Sequence, residues 1–159
     1  PAPTTFETLA DWTTRADLRH FAGSAIYRTQ VELTAEEAEQ ATALDLGALP
    51  SGLAAVTVNG VDCGVVWCAP WTVAVREVFR AGKNEIAVRY VNNWHNLLIG
   101  ECGRPEAARL TRSNVRCWAR PRQGDPKNPW KLDPTPYSGY CPNDPLQPSG
   151  LLGPVRVLR

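Results

Sequence analysis

The sequence predicts an all-β protein, in which two antiparallel sheets pack face to face as a β-sandwich of the jelly-roll type. Short runs rich in Val, Ile, Thr, Tyr and Leu recur at strand length, and turns separate them about every eight to twelve residues. Fourteen prolines and twelve glycines punctuate these runs, and helix signals are scarce. At 159 residues the chain has the usual size of one compact domain, so we expect a single domain over residues 1–159.

The first strand is predicted over Ser24 to Leu33, where apolar and polar residues alternate. Successive side chains of a strand point to opposite faces of its sheet, so one face of this strand should be buried and the other solvated. The residues expected on the buried face are Tyr27, Thr29, Val31 and Leu33.

A β-hairpin is predicted around Asn59-Gly60, between strands at Ala54 to Val58 and Val61 to Val66. A two-residue type I′ turn needs positive φ at both positions, which Asn and Gly adopt more readily than other residues. The remaining predicted strands are Ala43 to Leu46, Thr72 to Val75, Glu85 to Val91, Val115 to Ala119 and Val155 to Leu158.

One short helix and one long loop complete the prediction. Ala35 to Gln40 is the helix candidate, because Thr34 and Glu37 have the spacing of a capping box. Prolines recur through residues 120–148, and since proline cannot donate to a sheet ladder we expect a long loop there. Loops of this length in compact domains are often functional.

Charge and hydropathy exclude two classes of partner. The 17 Lys and Arg residues balance 16 Asp and Glu residues, and no basic run occurs, so a nucleic-acid partner is not expected. No apolar run approaches the roughly 18 residues that cross a bilayer, so a membrane partner is not expected either.

The five cysteines are odd in number, so at least one must stay unpaired within the chain. No CxxC pair occurs, and both histidines lie far from any closely spaced cysteine pair, which argues against a closed zinc site. We expect the cysteines to be small buried hydrophobes with one or two disulfides among them. They are Cys63, Cys68, Cys102, Cys117 and Cys141.

An ordered set of segments resembles the sugar-binding-type jelly-roll domain of family 2 glycoside hydrolases. These segments are LRHFAGSAIYRTQVEL (18–33), ALDLGAL (43–49), VTVNGVDCGVVWCAPWTVAV (56–75) and AGKNEIAVRYVNNW (81–94). Two further pieces, NLLIGE (96–101) and PSGLLGPVRV (148–157), are similar to the C-terminal module of family 106 glycoside hydrolases, which include α-L-rhamnosidases. Residues 120–147 have no counterpart in this resemblance.

The resemblance implies a galactose-binding-like fold attached to the catalytic domain of a secreted or periplasmic enzyme. In both families the catalytic carboxylates lie in other domains, so no catalytic residue is carried onto this chain. The sequence itself offers no convincing carboxylate pair of the kind that glycoside hydrolysis requires. We therefore expect a non-catalytic module, and the partners expected are a glycan or polysaccharide and the catalytic domain of the same polypeptide.

No cofactor is predicted, although sugar modules of this kind often hold a structural calcium ion. Calcium prefers oxygen ligands, which aspartates supply, but no dedicated loop such as an EF-hand occurs. The available aspartates are Asp11, Asp17, Asp125, Asp133 and Asp144.

Sugar binding requires a flat aromatic face for the C–H surface of the ring and planar polar groups for its hydroxyls. The segment from Asn92 to Asn96 combines both most densely, which makes Asn92, Trp94, His95 and Asn96 candidates. Two interpretations of its amides stay open, since they can bond the turn backbone or reach a ligand.

Other aromatic residues lie in predicted loops. Trp67 and Trp71 flank Cys68-Ala69-Pro70, where they form either a core plug or part of a binding surface. Proline-rich loops hold aromatic side chains in place at low entropic cost, but such side chains also pack a loop onto its own domain or a neighbouring one. The candidates in and beside the long loop are Trp118, Trp130, Tyr137 and Tyr140.

Three function classes follow from these observations: a carbohydrate-binding module, an interaction domain that buttresses a catalytic domain without sugar affinity, and an enzyme in its own right. The missing carboxylate pair and missing nucleophile motifs place the third class last. Between the first two, the aromatic candidates favour carbohydrate binding, with the buttressing domain as the alternative.

Overall fold

The structure is a computed structural model that describes residue 5, residues 7–111, the strand backbones at 119–121 and 132–134, and residues 140–159. Short 3-10 turns lie at Trp12–Thr14 and Glu106–Ala108. The other elements are β1 (Ser24–Leu33), α1 (Ala35–Gln40), β2 (Ala43–Asp45), β3 (Leu53–Val58), β4 (Val61–Val66), β5 (Thr72–Ala74), β6 (Gly82–Val91), α2 (His95–Cys102), β7 (Ala119–Pro121), β8 (Leu132–Pro134) and β9 (Arg156–Leu158).

The strands form antiparallel sheets, and the hydrophobic core lies between the two larger ones. One sheet has the order β1-β6-β3-β4, the other has the order β5-β2-β9, and β7 pairs with β8. The first sheet contributes Val56, Val88 and Tyr90 to the core, and the second contributes Leu44 and Val73. This arrangement confirms the predicted antiparallel β-sandwich.

The register of β1 against β6 confirms most of the predicted alternation. Tyr27 lies opposite Val88 and packs against the core, as does Val31 further along the strand. Thr29 departs from the prediction, because it is exposed although it lies opposite the buried Ile86. β1 is the outermost strand, and the facing sheet has only three strands of three residues each, which do not cover all of it.

The predicted hairpin and capping box are both present. Asn59 and Gly60 have φ values of 52° and 81°, as a type I′ turn requires. At the start of α1, Thr34 Oγ1 accepts a hydrogen bond from the Glu37 backbone N–H at 3.2 Å. A carboxylate oxygen of Glu37 accepts in turn from the Thr34 N–H at 2.9 Å, which completes the reciprocal cap.

The helix α2 was not predicted, because it depends on long-range contacts more than on local helix signals. No side chain caps its N-terminus at Trp94, and Gly100, a poor helix former, lies inside it, so local helix signals are weak. A long-range contact supports it instead: His20 Nδ1 donates to the Asn96 carbonyl at 2.9 Å. A Cβ atom on Gly100 would lie 2.7 Å from the His20 ring, so this approach requires glycine.

The long loop predicted over 120–148 contains a short antiparallel ladder, which corrects that prediction. Pro121 and Pro134 stand at strand ends in β7 and β8, where a missing N–H costs least. The predicted strand Val115 to Ala119 lies mostly outside the described residues, and β7 begins at its last residue.

Three cysteines among the described residues carry free thiols, so they take no part in the one or two disulfides expected. Cys68 is exposed, while Cys63 and Cys141 are half-buried. The buried Cys102 Sγ donates to the Tyr140 carbonyl at 3.2 Å. Cys117 lies outside the described residues.

Alkylation should distinguish Cys68 from Cys63. Burial raises the pKa of the Cys63 thiol, so the reactive thiolate forms a smaller fraction near neutral pH. We expect Cys68 to react with iodoacetamide near neutral pH several-fold faster than Cys63, as followed by peptide mass spectrometry. Equal rates at the two positions would contradict the burial of Cys63.

Candidate functional site

The two most exposed aromatic side chains in the described residues leave the four-stranded sheet at the same end. β4 and β6 both pair antiparallel with β3 and therefore run in the same direction. Trp67 directly follows β4 and is 71% exposed, and Trp94 follows β6 by three residues and is 63% exposed. One strand separates β4 from β6, which places them about 10 Å apart.

His95 lies beside Trp94 and is held against the C-terminal segment. Its ring meets the Tyr140 ring edge to face, with the ring centroids 5.3 Å apart. His95 Nε2 lies 3.3 Å from the Pro145 carbonyl oxygen. A carbonyl oxygen can only accept, so Nε2 carries the proton of this hydrogen bond. The imidazole is therefore a positioned group. We call Trp67, Trp94 and His95 together the aromatic end.

The side chain of Asn92 is used by the fold. It is buried, its Oδ1 accepts from the Gly23 N–H at 2.8 Å, and its Nδ2 donates to the Phe21 carbonyl at 2.6 Å. Both ends of the amide therefore bond the backbone that leads into β1. Of the two interpretations open from the sequence, these contacts fit the structural one.

Asn96 is also buried and bonds the backbone of a distant segment. Its Oδ1 accepts from the Gln147 N–H at 2.9 Å, and its Nδ2 donates to the Gln147 carbonyl at 2.8 Å. This pair of bonds ties α2 to the chain before β9. As with Asn92, the amide is occupied within the protein in this conformation.

Two exposed amides beside Trp94 were not among the predicted site residues. Asn93 is exposed, and its Nδ2 donates to the side-chain oxygen of Gln147, which is also exposed, at 3.2 Å. Asn93 Oδ1 also accepts from the His95 N–H at 3.0 Å. The alternation of side chains along β6 could have predicted the exposure of Asn93. Tyr90 and Asn92, two residues apart, are both buried, so Asn93 falls on the opposite, solvent-facing side.

The tryptophans that flank Cys68-Ala69-Pro70 have different environments. Trp71 is half-buried and packs against the core, and its backbone carbonyl accepts from the Leu46 N–H at 2.8 Å. Trp67 is exposed. The core-plug interpretation therefore fits Trp71, while Trp67 belongs to the surface. Three further candidates, Trp118, Trp130 and Tyr137, lie outside the described residues.

The aspartates considered for calcium do not converge within the described residues. Asp11 Oδ1 accepts from the N–H groups of Thr13 and Ser149, and Asp17 pairs with Arg15 at 3.0 Å. Nowhere in this part of the chain do three His, Cys, Asp or Glu side chains meet as a metal site would require. The third described aspartate, Asp144, accepts from the Cys141 N–H at 2.8 Å. Asp125 and the side chain of Asp133 lie outside the described part of the chain.

Glu101 is a buried carboxylate with a structural environment. Its Oε2 accepts from the backbone N–H groups of Leu110 and Thr111, the latter at 3.0 Å, and Arg104 lies 3.3 Å from Oε1. These contacts close the segment after α2 onto the helix.

In the described residues, no helix has the length and apolar character needed to cross a bilayer.

Comparison with known proteins relates the chain to glycoside hydrolases, of which it spans a small part. It is 27% identical over 157 residues to a protein of Formosa agariphila named "Putative beta-glucuronidase", a match that covers 96% of this chain and 13% of that one. The solved structure of a rhamnosidase from Novosphingobium sp. PP1Y matches with 34% identity and a TM-score of 0.59, over 87% of this chain and 11% of that enzyme. No protein-family model matches the chain.

Proposed function

We propose that this chain is a non-catalytic carbohydrate-binding module of a larger glycoside hydrolase, and that it binds a glycan at the aromatic end. The observation that carries the proposal is the exposure of Trp67 and Trp94 at one end of the same sheet. Exposed indoles are costly to leave in water, and they offer the flat faces on which sugar rings stack.

The polar part of recognition falls to residues beside the two indoles. Asn93 and Gln147 present amide groups next to Trp94, and these would select the hydroxyl pattern of a stacked sugar. Contacts of this kind are individually weak, so we expect dissociation constants from micromolar to millimolar, about −8 to −4 kcal/mol. The ring of His95, fixed by Tyr140 and Pro145, would complete the wall of this surface.

The fold and the parent enzyme are proposed with the same function. We infer that the sandwich is a jelly roll of the galactose-binding-like kind and that its parent resembles the family 106 enzymes. The similarity to a rhamnosidase supports this inference, and it makes rhamnose- or galactose-containing polysaccharides the glycans to test first. Such polymers lie outside the cell, so the parent enzyme would be secreted or periplasmic.

A catalytic role is disfavoured by what the carboxylates do. The pKa of Glu37 is lowered, chiefly by its hydrogen bond from the Thr34 backbone and also by Arg159. Glu101 is held by backbone N–H groups, as described above. A general acid in a glycosidase needs a raised pKa, and the lowered pKa of Glu37 is the opposite of that requirement. The chain also covers only 13% and 11% of the two relatives.

Affinity electrophoresis tests the proposal directly. The purified chain should be retarded in gels that contain a rhamnose- or galactose-rich polysaccharide, and Trp67→Ala and Trp94→Ala should each weaken the affinity about tenfold, which is about 1.4 kcal/mol. Leu110→Ala is a matched control, because Leu110 is 74% exposed but lies outside the aromatic end.

Two results would count against glycan binding at the aromatic end. The first is unretarded migration on every polysaccharide tested, which would favour a buttressing domain without sugar affinity. The second is retardation that both tryptophan variants retain in full, which would move the site elsewhere on the chain. Thermal unfolding of each variant should stay within about 2 °C of the parent chain, since both indoles are exposed.

A further inference from the structure

The outer face of the four-stranded sheet, which points away from the core, divides into a charged half and an apolar half. In the charged half, Arg28 of β1 pairs with Glu85 of β6 at 2.9 Å, and both side chains are exposed. This is the character expected where one face of an antiparallel sheet meets water.

The apolar half lies toward the end where Trp67 leaves the sheet. The register places four outward-facing residues in one row across the strands: Ile26, Arg89, Ala55 and Val65. Their neighbours along the strands, Ala54, Val66 and Tyr90, are buried in the core, which fixes the direction of the row. The next outward row contains Val91 opposite Leu53.

The exposure of apolar side chains in these two rows is unusual for a solvated sheet. Ile26 and Val65 of the first row are 55% and 57% exposed, and Leu53 of the second row is 36% exposed. Ile26 and Val65 also stand on β1 and β4, the two edge strands, where proteins ordinarily place charges or prolines to prevent association. A contiguous exposed apolar surface marks an interaction site. We call Ile26, Leu53, Ala55, Val65 and Arg89 the docking face.

Arg89 identifies the kind of partner. It is exposed at the middle of the docking face, between Ile26 on one side and Ala55 on the other. Within the described residues its guanidinium has no ion pair, whereas Arg28 in the neighbouring row has one. A guanidinium surrounded by aliphatic side chains is suited to a bidentate bond with a carboxylate that arrives with an apolar surface.

We propose that the docking face packs against a neighbouring domain of the same polypeptide, which presents aliphatic side chains to Ile26 and Val65 and a carboxylate to Arg89. The proposal rests on the proposed function, in which this chain is one module of a larger hydrolase. The relatives support such a neighbour, since the matched region is only 13% and 11% of their length. A second copy fits less well, because a two-fold contact centred on this face would set Arg89 against its own copy.

The test compares the chain alone with the longer polypeptide that carries it. Val65→Asp and Arg89→Glu each disrupt the docking face, and Arg89→Glu does so without removing apolar packing. Leu110→Asp is the matched control for Val65→Asp, because it makes the same change of charge at a residue that is 74% exposed outside the sheet. In the chain alone, all three variants should keep the thermal midpoint within about 3 °C and keep the glycan affinity.

In the longer polypeptide, a protease should release the module at least about tenfold faster from Val65→Asp and Arg89→Glu than from the parent or from Leu110→Asp, as expected when a docked interface is lost. Equal release rates would overturn the docking proposal while leaving glycan binding intact.

A chain that is dimeric alone, and becomes monomeric on Val65→Asp, would assign the face to a second copy instead. Loss of glycan affinity in Arg89→Glu with unchanged release would make the face a sugar site. A longer polypeptide with no hydrolase domain would refute the proposed function itself.

Discussion

Replacing Trp12 by alanine should lower the free energy of unfolding by about 3–5 kcal/mol, the range for removing a large buried aromatic side chain. Trp12 is 3% exposed, and its ring meets three other aromatic rings. The centroid distances are 5.5 Å to Phe21, 5.2 Å to Tyr90 and 6.3 Å to Tyr27. Alanine would remove all three contacts and leave a cavity that Tyr90, a central-strand residue, cannot move to fill.

The backbone around Trp12 adds to the expected effect, because it joins the two ends of the described chain. The Trp12 N–H donates to the Ser149 carbonyl at 3.0 Å, and the Asp11 side chain accepts from the Ser149 N–H at 3.1 Å. A Cβ atom on Gly150 would lie 2.8 Å from the indole, so the C-terminal segment is shaped to this side chain. Losing the indole should therefore loosen both segments.

Urea unfolding followed by far-ultraviolet circular dichroism measures this loss. Trp67→Ala is the control for removing an indole as such, and it should change the free energy of unfolding by less than about 0.5 kcal/mol because Trp67 is a surface residue. Similar losses at both positions would mean that Trp12 does not occupy the core as described.

The elements that the sequence predicted correctly are those whose signal lies within a few residues. β1 shows the period of two along its length except at Thr29, and the Asn59-Gly60 turn depends only on the φ preferences of its own two residues. The α1 cap likewise joins Thr34 to a residue three positions away. Local chemistry decides each of these, so no knowledge of the tertiary fold was needed.

The helix α2 could not be predicted on the same basis. Its support comes from His20, which is 76 residues from Asn96 in sequence, and from Gln147, which is 51 residues away. Propensity at Gly100 opposes a helix, and tertiary contacts override it. A pattern within the helix sequence carries no information about His20 or Gln147, so it could not predict the helix.

At the candidate site, the sequence shows which residues are present but not which of them are exposed. The sequence singles out the segment Asn92 to Asn96 for its polar and aromatic residues, but which of its side chains face solvent depends on partners at Gly23, Phe21 and Gln147. The exposure of Trp67 and the half-burial of Trp71 were equally beyond a local pattern, because the core that covers Trp71 comes from distant strands. The parity of β6 is the exception, since it places Asn93 outward by sequence alone.

Gly52 fixes the strand ends next to the aromatic end, and Gly52→Ala should be among the most destabilising single-methyl additions in the chain. Gly52 has φ of +104°, and a Cβ atom there would lie 2.1 Å from the Val91 carbonyl oxygen and 2.9 Å from the Asn92 Cα. Both obstacles are backbone atoms, and Asn92 is held in turn by Gly23 and Phe21. Relief would therefore require the end of β6 to move.

Gly60→Ala provides a matched comparison, because Gly60 has a positive φ of +81° and a Cβ atom added there would meet nothing within 4 Å. It should cost only the conformational strain of a left-handed alanine, about 1–2 kcal/mol, whereas Gly52→Ala should cost at least about 3 kcal/mol in the same urea titration. The difference between the two isolates the backbone clash from the φ preference. Equal costs would show that β6 yields at Val91; in that case Trp94, three residues further on, would not be rigidly placed for a sugar ring.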